Sequence, residues 1–196
     1  YQVGSVIENA TASRLGELLM DMADSMTVNF SYHANDPSVG FSLHADYDCF
    51  KLFLADTGLF VTLDFMDRDY TENVIYQKLL SDKLAVDLGY VYENAIAQML
   101  KSAGNELFYY TFQEEIVKDE DGNKTVRNYE VDFLLSRKDK ICPIEVKSSG
   151  YKSHKSLDVF QEKFSSRILQ RYLLYTKDVR KDKDIFCLPA YMTGLF

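Results

Sequence analysis

The sequence predicts an α/β domain, a central mixed β-sheet flanked by helices, over residues 84–196, preceded by a small α+β subdomain over residues 1–83. Three observations carry this. An amphipathic stripe over Leu84–Lys101 marks a helix, and three short strand-like runs follow between Leu107 and Lys147. A second helical stripe then opens at Leu157, and a last apolar run, Ile185–Leu188, closes the chain. The order helix, three strands, helix, strand is that of a sheet whose faces are covered by helices.

Taken in order, residues 1–26 carry Val6, Leu15, Leu18, Leu19 and Met22 at three- and four-residue spacings, which predicts a helix. Residues 27–48 hold Asn35, Pro37 and Gly40 and read as short strands and turns. Lys51–Ala55 is a strand candidate closed by Asp56-Thr57-Gly58, where a turn or helix-cap role is expected. An acidic loop over 64–72 and a helix over Asn73–Leu80 come next. In the Leu84–Lys101 helix, Val86, Tyr90, Glu93, Ala97 and Leu100 share one stripe, and Gly104-Asn105 is the stop signal. Glu93 thus falls on the apolar face, where a carboxylate is costly unless it meets a cation, a donor or a metal.

Leu107–Val117 and Thr125–Ser136 flank a polar turn containing Asp121-Gly122, a hairpin signal. After the break Arg137–Lys140, Ile141–Lys147 is the third strand, and Ser148–Ser156 is a polar loop. Leu157, Phe160, Phe164, Ile168, Tyr172 and Tyr175 predict one helix running to Tyr175, followed by a basic linker, Lys177–Lys183.

Composition narrows the function classes. Fourteen Tyr and thirteen Phe, with no Trp, predict an aromatic core and argue against disorder. No apolar run approaches the roughly 18 residues of a membrane span and no signal peptide opens the chain, so a cytoplasmic location is expected. Cys49, Cys142 and Cys187 match no zinc spacing, and reduced, buried thiols are expected. His33, His44 and His154 likewise lack zinc spacing and are expected in structural or solvated roles.

The net charge of −8 argues against a protein that coats nucleic acid through bulk electrostatics. The charge is uneven, however. Residues 137–184 hold 13 Lys/Arg against 7 Asp/Glu, a net of +6, whereas the remainder holds 9 against 23, a net of −14. The asymmetry leaves room for one basic surface in 137–184 through which DNA could be met; helices with solvated Lys and Arg give the same count.

The chemistry lies in spacing. Glu145 and Lys147, two apart on a strand, share a face, as do Glu130 and Asp132. If the two strands are neighbours, Asp132 and Glu145 converge at one end of the sheet. With the carbonyl of Val146 they would offer hard oxygen ligands for Mg²⁺ or Mn²⁺, while Lys147 would orient or activate the attacking water. Glu93 would add a ligand directly or through water. Spacing alone leaves a second reading open, in which these charges form cross-strand ion pairs on a solvated face. Glu130 is read equally as a second acid of the site or as a paired surface carboxylate. Ser148, Ser149, Lys152, His154 and Lys155 are read as phosphate contacts or as a plain solvated loop.

Four segments resemble a known family: Phe50-Lys51-Leu52-Phe53-Leu54-Ala55-Asp56-Thr57-Gly58-Leu59, Gly89-Tyr90-Val91-Tyr92-Glu93-Asn94, Tyr129-Glu130-Val131-Asp132-Phe133-Leu134-Leu135 and Pro143-Ile144-Glu145-Val146-Lys147-Ser148-Ser149. It is the uncharacterised domain found C-terminal to the ATPase module of many bacterial and archaeal AAA-type ATPases. The C-terminal half of that family is similar to PD-(D/E)XK nucleases. The resemblance spans roughly residues 1–196, and its last two segments are the most specific. It implies a restriction-endonuclease-like core and a metal-dependent endonuclease site with Glu93, Asp132, Glu145 and Lys147 in place. It also implies an upstream ATPase module ahead of Tyr1. No Gly-x-x-x-x-Gly-Lys-Ser/Thr loop occurs here, so no ATP site is expected in this chain. The expected function is Mg²⁺-dependent phosphodiester hydrolysis of DNA; the alternative is a non-catalytic DNA-binding or protein-interaction module that keeps the fold.

Overall fold

A computed structural model describes residues 12–65, 77, 88–117, 124–148 and 153–196. It has a mixed α/β architecture built on two mixed β-sheets. The chain opens with helix α1 (Ala12–Asp24), then strands β1 (Val28–Ala34) and β2 (Ala45–Leu54), then helices α2 (Thr57–Phe65) and α3 (Leu88–Ser102). Strands β3 (Leu107–Val117), β4 (Lys124–Val131), β5 (Phe133–Arg137) and β6 (Lys140–Val146) follow. Helix α4 (Lys155–Phe164), strands β7 (Arg171–Tyr175), β8 (Arg180–Asp182) and β9 (Ile185–Pro189) and a 3-10 turn at Ala190–Leu195 complete it. The helix expected over Asn73–Leu80, the turn over 119–123 and the start of the Leu84 helix lie outside the described residues, apart from Gln77. Among the described residues no helix is long and apolar enough to cross a membrane.

The expected single central sheet is in fact two. The first runs β2-β1-β3-β4 and the second β5-β6-β7-β9-β8. Their separation falls at Asp132, a bend between β4 and β5 where one run of extended sequence leaves the first sheet and enters the second. Periodicity cannot show such a break, because apolar positions continue on both sides of it. β1 pairs in parallel with β3, Ser31 opposite Leu107 and His33 opposite Tyr109. Strands from residues 28–54 therefore share a sheet with the β3–β4 hairpin rather than forming a sheet of their own.

The helix predicted to reach Tyr175 ends at Phe164, and Arg171–Tyr175 is a strand instead. β7 lies between β6 and β9, parallel to both, with Leu173 and Leu174 fully buried. A strand covered on both faces carries a continuous apolar run, and such a run mimics the tail of a helical stripe. The basic linker likewise contains β8, antiparallel to β9. The predicted stop of α3 is present: Gly104 has φ +87°, a left-handed conformation that suits glycine, and Asn105 N–H donates to Leu100 O at 3.0 Å.

Two apolar layers sandwich the β5–β6 region. On one side Ile96, Ala97 and Leu100 of α3 pack on Phe133, Leu135, Cys142, Ile144 and Val146. On the other, Val159 and Phe160 of α4 pack on Leu134, Ile141, Phe112 and Tyr129. Each fully buried Leu, Ile or Phe contributes about 1.5–3 kcal/mol. The α3 stripe is shifted from its predicted position: Tyr90 is 62% exposed, while Asn94 is buried. Glu93 therefore sits at the edge of the packed face, not at its centre.

A candidate acidic centre at the strand break

The second sheet brings Asp132 and Glu145 together by register. Phe133 pairs with Ile144, so the next position along places Asp132 opposite Glu145. Ile144 and Val146 face α3, so Glu145, between them on β6, faces the other way, toward His154 and Leu157 at the start of α4. Val146 N–H donates to Asp132 Oδ2 at 2.7 Å. The N–H and C=O of an extended residue leave a strand on the same side, so the Val146 carbonyl opens on the Asp132 edge. Lys147 N–H donates to Leu174 O at 2.8 Å and ties the end of the motif to β7.

Each acid has a distinct environment. Glu145 is buried, and its Oε1 accepts from Lys147 Nζ at 2.5 Å. Its Oε2 is buried without a hydrogen-bond partner. Burial raises the Glu145 pKa, with the Lys147 ammonium, His154 and the Leu157 amide pulling the other way. Asp132 is pushed up to about 8, by burial first and by the Glu93 charge second, against the Val146 amide and Lys51. Burial lowers the Lys147 pKa, but Glu145, Asp132 and Glu93 outweigh it and the net shift is upward. Burial, more than neighbouring charge, keeps the Asp132 carboxyl protonated below about 8.

Glu93 reaches this neighbourhood from α3, and its charge acts on Asp132, Lys147 and Lys51. It does not close a cage: among the described residues no three His, Cys, Asp or Glu side chains are grouped so that they could hold a metal ion. The oxygen atoms gathered at the strand break are those of Asp132, Glu145 and the Val146 carbonyl, with the Glu93 charge acting on Asp132 from α3. Glu130 is an ion-paired carboxylate, held by Lys51.

Sequence reasoning gave no role to several residues that shape the centre. Lys51, on β2, forms that ion pair with Glu130 and lies 3.9 Å from Glu93 Oε2. Asn94, beside Glu93, accepts from Leu54 N–H at 2.8 Å and donates to Leu54 O at 3.0 Å and to Thr57 Oγ1 at 3.1 Å. That side chain bolts α3 to the end of β2. Asp56 Oδ1 accepts from Gly58 N–H at 2.7 Å, the expected cap of α2. Buried Arg171 donates to Leu157 O at 3.1 Å and Asp158 Oδ1 at 2.9 Å and pairs with Asp184, bracing α4 beside Glu145. An arginine opening an otherwise apolar strand was the available signal.

The basic region is only partly free to meet a polyanion. Arg171 is buried in ion pairs, Arg167 pairs with Asp36, and Lys163 donates to Gln113 O. Lys155, Lys177, Arg180, Lys181 and Lys183 are exposed or partly exposed. His154, read as a phosphate contact or loop residue, is buried, with Nδ1 2.9 Å from Asp158 Oδ2 and Nε2 3.3 Å from Asp182 Oδ2. His33 Nε2 bonds to Thr111 Oγ1 at 3.0 Å, a structural role. Ser149 and Lys152 lie outside the described residues. Cys142 and Cys187 are buried and free, as expected, whereas Cys49 is exposed.

Comparison with known proteins matches the chain to the family model described as a domain of unknown function, DUF4143, over residues 88–192. No curated protein matches, and no solved structure matches.

Proposed function

The chain belongs to the DUF4143 family, an uncharacterised family typically found with AAA ATPases, and from this premise we propose that it is a divalent-cation-dependent phosphodiester hydrolase acting on DNA. The observation that carries the reading is the proximity of Asp132 and Glu145 at the strand break, where Val146 N–H donates to Asp132 Oδ2, Lys147 is bonded to the Glu145 carboxylate and Glu145 Oε2 is buried without a side-chain partner. A restriction-endonuclease-like core is part of this reading, and so is a cytoplasmic location. Its partners are DNA, met through the exposed basic residues of 137–184, and an upstream ATPase module that couples ATP use to cleavage.

Asp132, Glu145 and the Val146 carbonyl would hold Mg²⁺ or Mn²⁺, and Glu93 would contribute through water. When bound, the cation supplies Lewis-acid polarisation of the phosphate and lowers the pKa of water. The protein's own contribution is positional. The Val146 amide orients Asp132, and the Glu145–Lys147 contact places an ammonium beside the acids. That ammonium stabilises the negative charge that builds on the phosphate and orients the attacking water. Asp132, whose carboxyl is protonated below about 8, would have to be ionised to serve as a ligand.

A second reading, a non-catalytic DNA-binding or protein-interaction module, has one observation in its favour: the acids are already partly neutralised by Lys51 and Lys147, and no three of them form a cage. The experiment is an assay of purified protein on linear and supercoiled DNA with Mg²⁺ or Mn²⁺. The hydrolase reading expects cleavage that falls at least a hundredfold in Lys147→Ala, in line with the loss of one charge-stabilising group. Absence of cleavage under every condition, or full activity in Lys147→Ala, removes it in favour of the binding module.

A further inference from the structure

On the α3 side of the second sheet, the face opposite to Glu145, a cleft of about 450 Å³ opens beside the β5–β6 turn and the 3-10 turn at Ala190–Leu195. Cys142, Tyr172, Leu188, Met192 and Phe196 line it. The Tyr172 and Phe196 rings meet edge-on, with centroids 4.8 Å apart. Leu169 and Leu195 line it as well, yet leave 49% and 79% of their surface in solvent. Large apolar side chains left exposed around a concavity mark a binding surface rather than a core. The volume lies within the roughly 300–1,000 Å³ of small-molecule sites, which combine apolar walls with a few placed polar groups.

The placed polar group is Arg137, half-buried at the end of β5. Its Nη1 donates to Ser136 O at 2.8 Å and its Nη2 to Asn105 Oδ1 at 2.9 Å. Asn105 is itself anchored, donating to Leu100 O at 3.1 Å, so the guanidinium sits on a fixed mount. Both of its acceptors are neutral, and among the described residues no carboxylate pairs with it. Arg167 and Arg171, by contrast, each meet an aspartate. A guanidinium carries five N–H donors in a planar fork, so each terminal nitrogen keeps a second N–H beyond these contacts. Its charge is felt in the cleft wall, where it opposes the rise that burial, first, and then Cys142 impose on the Tyr172 phenol. Lys138, exposed on the turn, also lines the cleft and adds a second positive charge.

A half-buried cation with only neutral partners, set beside apolar walls, matches an anion that carries an apolar body. A nucleic-acid phosphate would satisfy the charge and leave those walls wet. We propose that this cleft binds a small apolar monocarboxylate, with the carboxylate on the Arg137 guanidinium and the hydrocarbon body against Tyr172, Leu188 and Phe196. The site is independent of the hydrolase reading, because none of its residues belongs to the acidic centre.

The test is a ¹⁵N NMR titration of the purified protein with octanoate and with octanol, its uncharged counterpart. Octanoate is expected to shift the amides of Leu188, Met192 and Phe196 and to bind at least about tenfold more tightly than octanol. Arg137→Met keeps an apolar stem and removes the charge. It should lower octanoate affinity to that of octanol while octanol binding stays unchanged, which also reports that the cleft is intact. Leu169→Trp, at a position already half exposed, crowds the cleft and should weaken both ligands. Equal affinity of wild type for the two ligands, or shifts confined to residues outside the cleft, overturns the proposal without recourse to any variant. Octanoate binding that survives Arg137→Met at full strength, or no octanoate binding at all, does the same.

Discussion

Asp132 concentrates the chemistry of this protein in one side chain. Its carboxyl, pushed up to about 8 by burial and then by the Glu93 charge, holds a proton in the folded state that the unfolded chain releases near the ordinary carboxyl value of 3.8. Between those values the folded state binds more protons than the unfolded one, so in the absence of metal this group makes stability fall as pH rises and level off above about 8. Glu145, also raised by burial, acts in the same direction. Asp132→Asn keeps the carbonyl that accepts the Val146 amide but cannot ionise. Urea unfolding in EDTA is expected to show a flatter stability–pH profile for the variant than for wild type. At pH 8 the variant should be more stable by about 1–3 kcal/mol. A wild-type protein that gains stability from pH 5 to pH 8 relative to Asp132→Asn would contradict this account of the acid. The sequence made the Glu145–Lys147 neighbourhood legible because strand periodicity puts alternate residues on one face. It did not make Lys51 legible, because that lysine enters through strand pairing between segments far apart in the chain.

At the scale of elements, the centre depends on how α3 is seated. Asn94 is the device that seats it: a buried amide satisfying both main-chain groups of Leu54 as well as the Thr57 hydroxyl. Gln98, one turn on, accepts from Thr57 N–H at 3.0 Å and from Thr57 Oγ1 at 2.7 Å. Together they join the start of α2 and the end of β2 to the helix that carries Glu93. Asn94→Ala leaves the Leu54 N–H and C=O without their part-buried partner, and a loss of about 1–3 kcal/mol is expected in chemical denaturation. A loss under about 0.5 kcal/mol, the range of ordinary surface changes, would show that α3 is held by its apolar face alone. Asn94 lay on the predicted stripe's flank, and helical period alone could not distinguish a buried, satisfied amide from a solvated one. The extension of the second helix through β7 failed for a related reason, since Tyr172-Leu173-Leu174-Tyr175 is apolar on both faces of a sheet and periodicity cannot choose between helix and strand there.

For the whole molecule, the two sheets meet at the strand break, and the residues that matter converge there. Asp132 comes from the bend, Glu145 and Lys147 from β6, Glu93 from α3 and Lys51 from β2. The DUF4143 match begins at residue 88, yet β1 and β2 complete the sheet of the β3–β4 hairpin and supply Lys51. The centre as described here therefore needs residues ahead of the matched region. Element types and most strand positions were readable from local pattern, whereas the division into two sheets and the neutralisation of the acids by lysines were not, because both arise from long-range pairing. The central claim is that Asp132 and Glu145 form a divalent-cation centre, and anomalous scattering from crystals soaked in Mn²⁺ tests it most directly. The account predicts one anomalous peak within ligand distance, roughly 2.0–2.3 Å, of both Asp132 and Glu145 carboxylates, absent in crystals of Asp132→Ala. Soaked crystals with no peak there, or with Glu145 Oε2 still unpartnered beside an intact Lys147 contact, would contradict it.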